Sequence, residues 1–190
     1  MVIRKTFRNA GVTLLELLVS ILLLALLVLI AVPAYGDFMS RQRIVTVSAE
    51  LHGVLLYSRS EAIKRGGNVI LCRSSSTLSE NPSCDKGSDA TGMGWGAGWM
   101  IFHDKDLNHR YSAGDEILLM RARTFENARE GRILTKPSRN QLEFNGTGQV
   151  FATYMSFAVQ RPDDSVDSGN SRYICIASGG RARISPRPCS

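Results

Sequence analysis

The feature that most constrains this chain is Leu17 to Gly36, a stretch without a single charged side chain that begins directly after a carboxylate, Glu16. At about 1.5 Å per residue it makes a helix about 30 Å long, the thickness of a bilayer core. A removable secretory signal shares the basic start seen here in Arg4, Lys5 and Arg8, and Val32-Pro33-Ala34 imitates its small-residue cleavage site. The apolar region of such a signal, however, runs to only about 7 to 15 residues. Here it is longer and opens beside a charge, which costs on the order of a few kcal/mol at the edge of a lipid-facing helix unless paired or solvated. The segment therefore reads as a lasting membrane span whose Glu16 needs a partner.

Beyond the span the helix changes character. Ile44, Val47, Leu51, Val54, Leu55, Ser58 and Ala62 recur at intervals of three and four, the pattern of an amphipathic helix with one buried face. The periodicity carries it to about Arg65, where Gly66-Gly67 supplies a stop, because glycine accepts the left-handed backbone of a helix C-terminus. From Asn68 onward short β-like runs alternate with turn residues: Val69–Cys72, Trp99–His103, Glu116–Met120, Ile133–Thr135, Leu142–Phe144, Tyr154–Val159, Tyr173–Ala177 and Arg181–Ile184. The expected fold is α+β, a long N-terminal helix, transmembrane in its first half and amphipathic in its second, packed on an antiparallel β-sheet head. The loops 74–93 and 161–171 are too polar to contribute core.

With 190 residues there is room for one soluble domain of ordinary size beside the span. The formal charge of +6 overstates the basicity of that domain. Three of the 23 basic residues precede Val12, and the rest exceed the 17 acidic residues by only three, so any nucleic-acid role must rest on local clustering. The four cysteines form no Cys-x-x-Cys and have no neighbouring His pair, which argues against zinc. In an exported domain they read as two disulfides. Of three connectivities, Cys72–Cys84 with Cys175–Cys189 is expected, since each closes a short loop at the end of a strand.

The residues around the span resemble the signal of type IV prepilins and of type II secretion pseudopilins: a short basic leader, Gly11, a hydrophobic residue, and Glu16 fifth after the glycine. Val12 stands where that family most often has phenylalanine, and Pro33 where it has a helix-bending proline. The head resembles the GspH/FimT group of minor pilins and pseudopilins through Leu55-Tyr57-Arg59-Ser60-Glu61-Ala62, Val69-Leu71-Cys72, Gly98-Trp99-Met100-Ile101-Phe102 with Asp104, and Gly180-Arg181-Ala182-Arg183. The resemblance implies a leader over 1–11 cut after Gly11 by prepilin peptidase and methylation at Val12. It also implies a membrane or filament-core helix over 12–36, an amphipathic helix over 37–66 and a periplasmic head over 67–190. Glu16 would pair with the amino terminus of a neighbouring subunit. The implied partners are other major and minor pilins and the inner-membrane assembly platform, in a type IV pilus or a type II secretion filament.

Several constellations invite chemistry. After Asp167 no acidic residue occurs, whereas Arg172, Arg181, Arg183 and Arg187 do. Arg181 and Arg183 alternate, so on a strand they share one face and can meet successive phosphates, while Gly179-Gly180 allows a tight hairpin. Gly180-Arg181-Ala182-Arg183 resembles the Gly-Arg-x-Arg motif of DNA-binding FimT-type pilins, which implies phosphate contacts without sequence readout. The alternative is an edge strand charged against aggregation. Asp104, Asp106, Asn108, Ser112 and Asp115 occupy calcium-loop positions, but His109 replaces the required glycine and no helices flank them, so a polar turn is expected and no metal. Gly92, Gly94, Gly96 and Gly98 precede no helix N-terminus and read as a bend or close backbone approach. His52, His103 and His109 belong to no catalytic motif, so neither an enzyme nor a cofactor is expected.

Overall fold

The computed structural model describes residues 12–87, 89–151, 154–162 and 170–189, with Pro33 and Ala34 described by their backbone only. Gly11 lies outside the described residues, as does most of the 161–171 loop. Helix α1 (Leu14–Arg65) runs for 52 residues. Between Ser40 and Arg41 the chain divides into two compact units.

Within the first unit, α1 is apolar on every side from Leu17 to Val32. Leu14 to Val32 are all exposed, and the segment is long and apolar enough to cross a membrane. A helix apolar all round belongs in lipid or among similar helices. Its hydroxyls suit that setting: Ser20 Oγ donates to Glu16 O (2.7 Å) and Ser40 Oγ to Gly36 O (3.0 Å), so neither needs water.

In the second unit, the head, α1 buries Ile44, Val47, Leu51, Val54, Leu55 and Ala62, the face marked by the sequence periodicity. The buried Ser48 and Ser58 turn their hydroxyls back onto Ile44 O and Val54 O. The helix ends in a Schellman turn. Gly66 has φ +84°, and the Gly67 amide donates to Ala62 O at 2.8 Å, closing the 6→1 bond that such a cap requires.

Eight strands follow: β1 (Val69–Arg73), β2 (Trp99–His103), β3 (Glu116–Arg121), β4 (Arg132–Lys136), β5 (Gln141–Phe144), β6 (Tyr154–Gln160), β7 (Arg172–Ala177) and β8 (Ala182–Ser185). They form two four-stranded antiparallel sheets, β3-β2-β1-β5 and β4-β6-β7-β8, rather than one. The inner faces meet in one core with α1, where Val69, Leu71, Trp99 and Ile101 of the first sheet join Met155, Phe157, Val159, Ile174 and Ile176 of the second. Trp95 fills the space between them. Its ring meets Phe157 edge-on, 5.1 Å between centroids, and its indole N–H donates to Arg139 O.

The first sheet is covered on its other face too: Ile70, Cys72, Met100 and Phe102 pack under Cys84, Tyr111 and Ile117. That explains why β1 and β2 read as unbroken apolar runs. It also corrects the expectation for the 74–93 loop. The Cys72–Cys84 disulfide and the buried Arg73–Asp85 ion pair (3.0 Å) hold the loop against the sheet, and Met93 enters the main core. The glycines before β2 permit close approach: Gly94 and Gly98 have positive φ, and a Cβ on Gly94 would strike Ile133 O of β4.

Candidate nucleic-acid interface

The outer face of the second sheet carries the arginine site. In β7, Ile174 and Ile176 point into the core, so Tyr173 and Cys175 point outward. Arg183 pairs with Cys175, and the Ala177 amide donates to Arg181 O at 3.1 Å, which places both arginines on the outer side. Arg181 stands in the turn, one residue ahead of β8. Both side chains are exposed and line one groove of about 540 Å³ with Tyr154, Ala177, Ser178 and Cys189.

Four other arginines of the head have a carboxylate partner among the described residues. Arg43 meets Glu130 at 2.7 Å, Arg65 meets Glu116 at 2.9 Å, Arg73 meets Asp85 at 3.0 Å and Arg121 meets Glu50 at 2.7 Å. Neither Arg181 nor Arg183 has a carboxylate partner among the described residues. Two guanidinium groups on one groove have the chemistry to accept a phosphate.

Gly180 has a structural job in the same hairpin. Its φ is +73°, its amide donates to Ala177 O at 2.8 Å, and a Cβ there would collide with Gly148 O. The glycine of Gly-Arg-x-Arg thus shapes the turn that presents the arginines. Cys175–Cys189 ties the C-terminal segment back across the outer face, so that Pro188 and Cys189 wall a second groove of about 390 Å³ with Tyr173 and Tyr154.

Arg172 and Arg187 are not part of this cluster. Arg172 shares the pleat of Ile174 and Ile176, sits at the far end of β7, and donates to Ser171 O at 2.9 Å. Arg187 is exposed beyond β8, in a turn where its amide donates to Ser185 Oγ. Tyr154 was passed over in the sequence, although counting by twos from the buried Met155 and Phe157 puts it on the outer face.

Asp104, Asp106 and Asp115 bring carboxylate oxygens within 4.8 Å of one another. Backbone amides occupy them: Asn108 and His109 donate to Asp104, and Lys105 and Ser112 to Asp115. Burial raises the pKa of Asp106, but hydrogen bonds involving Asp104, Asn108 and Ser112 outweigh it and hold the carboxyl below its ordinary range. His109 takes the left-handed turn position with φ +58° and bonds Glu143 at 2.9 Å. The cluster is a tightly hydrogen-bonded β-turn loop.

At the other end of the chain, Val12 and Glu16 are exposed. Thr13 Oγ1 accepts from the Glu16 amide at 3.2 Å, and Thr13 O from Leu17 N at 3.1 Å, making Thr13 the N-cap of α1. Thr13-Leu14-Leu15-Glu16 spells the Ser/Thr-x-x-Glu capping sequence, a legible signal that the reading of Glu16 alone had left unused.

Comparison with known proteins agrees with this architecture. The family profile described as type II transport protein GspH matches residues 47–180, ending just before Arg181, and the prokaryotic N-terminal methylation motif matches residues 6–32. No curated protein sequence matches the chain. The fold is similar to that of the type IV minor pilin FimU of Pseudomonas aeruginosa in two crystal forms. One aligns with a TM-score of 0.57 at 22% identity over 78% of this chain and 92% of FimU; the other gives 0.54 at 21% over 75% and 93%. With its methylation motif, apolar helix and two-sheet head, the chain belongs to the GspH family of minor pilins and pseudopilins.

Proposed function

We propose that this chain is a minor subunit of a type IV pilus whose head binds DNA through Arg181 and Arg183 during uptake in natural transformation. The observation that supports the binding role is the pair of guanidinium groups on one groove that have no carboxylate partner among the described residues. In this reading prepilin peptidase cuts after Gly11 and Val12 becomes the methylated amino terminus. The 12–36 helix anchors the protein in the inner membrane and the filament core, with Pro33 bending it. Glu16 meets the amino terminus of a neighbouring pilin, and the 37–66 helix and 67–190 head stand in the periplasm before entering the filament. Phosphate contacts give affinity without sequence preference.

A second reading, a pseudopilin that promotes protein export, is favoured by the type II transport description of the matching profile. A strain carrying Arg181→Ala and Arg183→Ala, scored beside a deletion strain, separates them. Normal surface pili with lost DNA uptake in the arginine variant supports the binding role, and normal uptake sinks it. Accumulation of secreted enzymes in the periplasm of the deletion strain, with pili intact, favours the export reading.

A further inference from the structure

We infer that the arginine groove takes a single strand of nucleic acid, with phosphates on Arg181 and Arg183 and a base stacked on Tyr154; this rests on the DNA-binding role above and narrows its ligand. Across the sheet, Tyr154 of β6 is opposite Ala177 of β7, and Ala177 is hydrogen-bonded to Arg181. In the next outward row, Ser156, Cys175 and Arg183 line up in the same order. At one strand spacing per step, the tyrosine and the arginine edge stand roughly 10 Å apart. Between them lie Ala177 and the Cys175–Cys189 disulfide, which line the same groove. The result is a groove with an aromatic side, a floor crossed by the disulfide and a cationic side.

The Tyr154 side chain reaches the surface on the groove it shares with Arg181 and Arg183. It is 39% exposed, its cross-strand neighbour is an alanine, and β4 pairs with β6 only from Ser156 onward. Tyr154 also lines the adjoining groove, where Tyr173 presents a hydroxyl that is buried without a hydrogen-bond partner among the described residues. A base lying over Tyr154 can reach toward that group. Double-stranded DNA keeps its base faces inside its own stack, so it can ride on the arginine rim but offers nothing to the ring. A single strand offers both phosphate and base, the pairing that sequence-tolerant single-strand sites use.

The test is fluorescence anisotropy of the full-length chain in detergent with an oligothymidine of about 12 nucleotides and a duplex of equal length. Wild type should bind the single strand more tightly than the duplex at the same salt. Tyr154→Ala and Tyr154→Leu should lose about 5- to 150-fold in single-strand affinity, the worth of one base–aromatic stack, and stay within about twofold on duplex. Tyr154→Phe should bind nearly as wild type. As a readout free of any variant, an oligothymidine carrying iodouracil should photocrosslink to Tyr154. Equal or tighter duplex binding, unchanged single-strand affinity in the Tyr154 variants, or crosslinking that avoids Tyr154 overturns this inference while leaving the arginine role intact. If Arg181→Ala with Arg183→Ala changes neither ligand's affinity, or wild type binds neither, the DNA-binding role itself falls and this inference with it.

Discussion

His52 Nε2 lies 3.2 Å from the carbonyl oxygen of Ala182, the residue between the two groove arginines. Because Ala182 O can only accept, Nε2 carries the proton and donates. Ala177 and Arg181 form a hydrogen-bonded pair, so Ala182, one residue on, turns its carbonyl away from β7 and toward the open edge of the sheet. The helix thereby caps the edge of β8 at the point where the arginines are presented.

Replacing that donor should loosen the strand. His52→Ala is expected to cost about 1 kcal/mol, the net worth of one such bond, and to accelerate amide exchange at Arg183. Urea unfolding followed by near-ultraviolet circular dichroism, with exchange mass spectrometry of β8, checks both. Unchanged exchange would mean that His52 does not hold the strand.

Gly180 should prove to be a folding residue. Alanine there must adopt φ +73° and meet Gly148 O, so Gly180→Ala is expected to lose at least about 1–2 kcal/mol, the left-handed penalty alone. A binding defect in this variant should be accompanied by a lower unfolding free energy, whereas Arg181→Ala and Arg183→Ala should leave that free energy within about 0.5 kcal/mol of wild type.

Acid should weaken the head through Arg65. Hydrogen bonds from Arg65 hold the carboxyls of Glu61 and Glu116 below their ordinary pKa, with burial opposing. A lowered folded-state pKa contributes stability that is present above the unfolded value, about 4.3 for glutamate, and lost as pH falls through the folded value. Thermal midpoints should therefore drop as pH falls below about 4.5, and Arg65→Met should drop less steeply. Parallel curves for the two proteins would exclude this origin.

The Cys175–Cys189 bond should stabilise the head and shape the site together. Its loop spans 14 residues of sequence, so Cys175→Ser with Cys189→Ser is expected to cost about 3 kcal/mol. Because Cys189 walls both grooves, the same variant should also bind nucleic acid less tightly. Removing Cys72 and Cys84, on the other sheet, should lower stability while sparing binding.

Local physics made much of this fold legible in the sequence. The Gly66-Gly67 stop follows from backbone freedom, and the head face of α1 from its spacing. The eight strands follow from β-branched and aromatic runs between turn residues. What local patterns left open was partnership. Neither β4 nor β5 states which strand it joins, so two sheets were read as one. Loop 74–93 looked too polar for core because the ion pair that covers Arg73 is formed by Asp85, twelve residues away. Arg172 was grouped with Arg181 and Arg183 by charge alone, although its shared parity with Ile174 and Ile176 placed it on the other pleat. Tyr154 was missed because an aromatic residue in a strand is ordinarily core, and only the register, opposite Ala177, shows it uncovered.

The most direct test is the salt dependence of DNA binding by full-length protein and by the Arg181→Ala, Arg183→Ala variant, from about 50 to 200 mM salt. Log affinity should fall linearly with log salt for both. The variant's slope should be shallower by about 1.4 on single strands and about 1.8 on duplex, two phosphate contacts' worth. Equal slopes and equal affinities would show that the two arginines touch no phosphate.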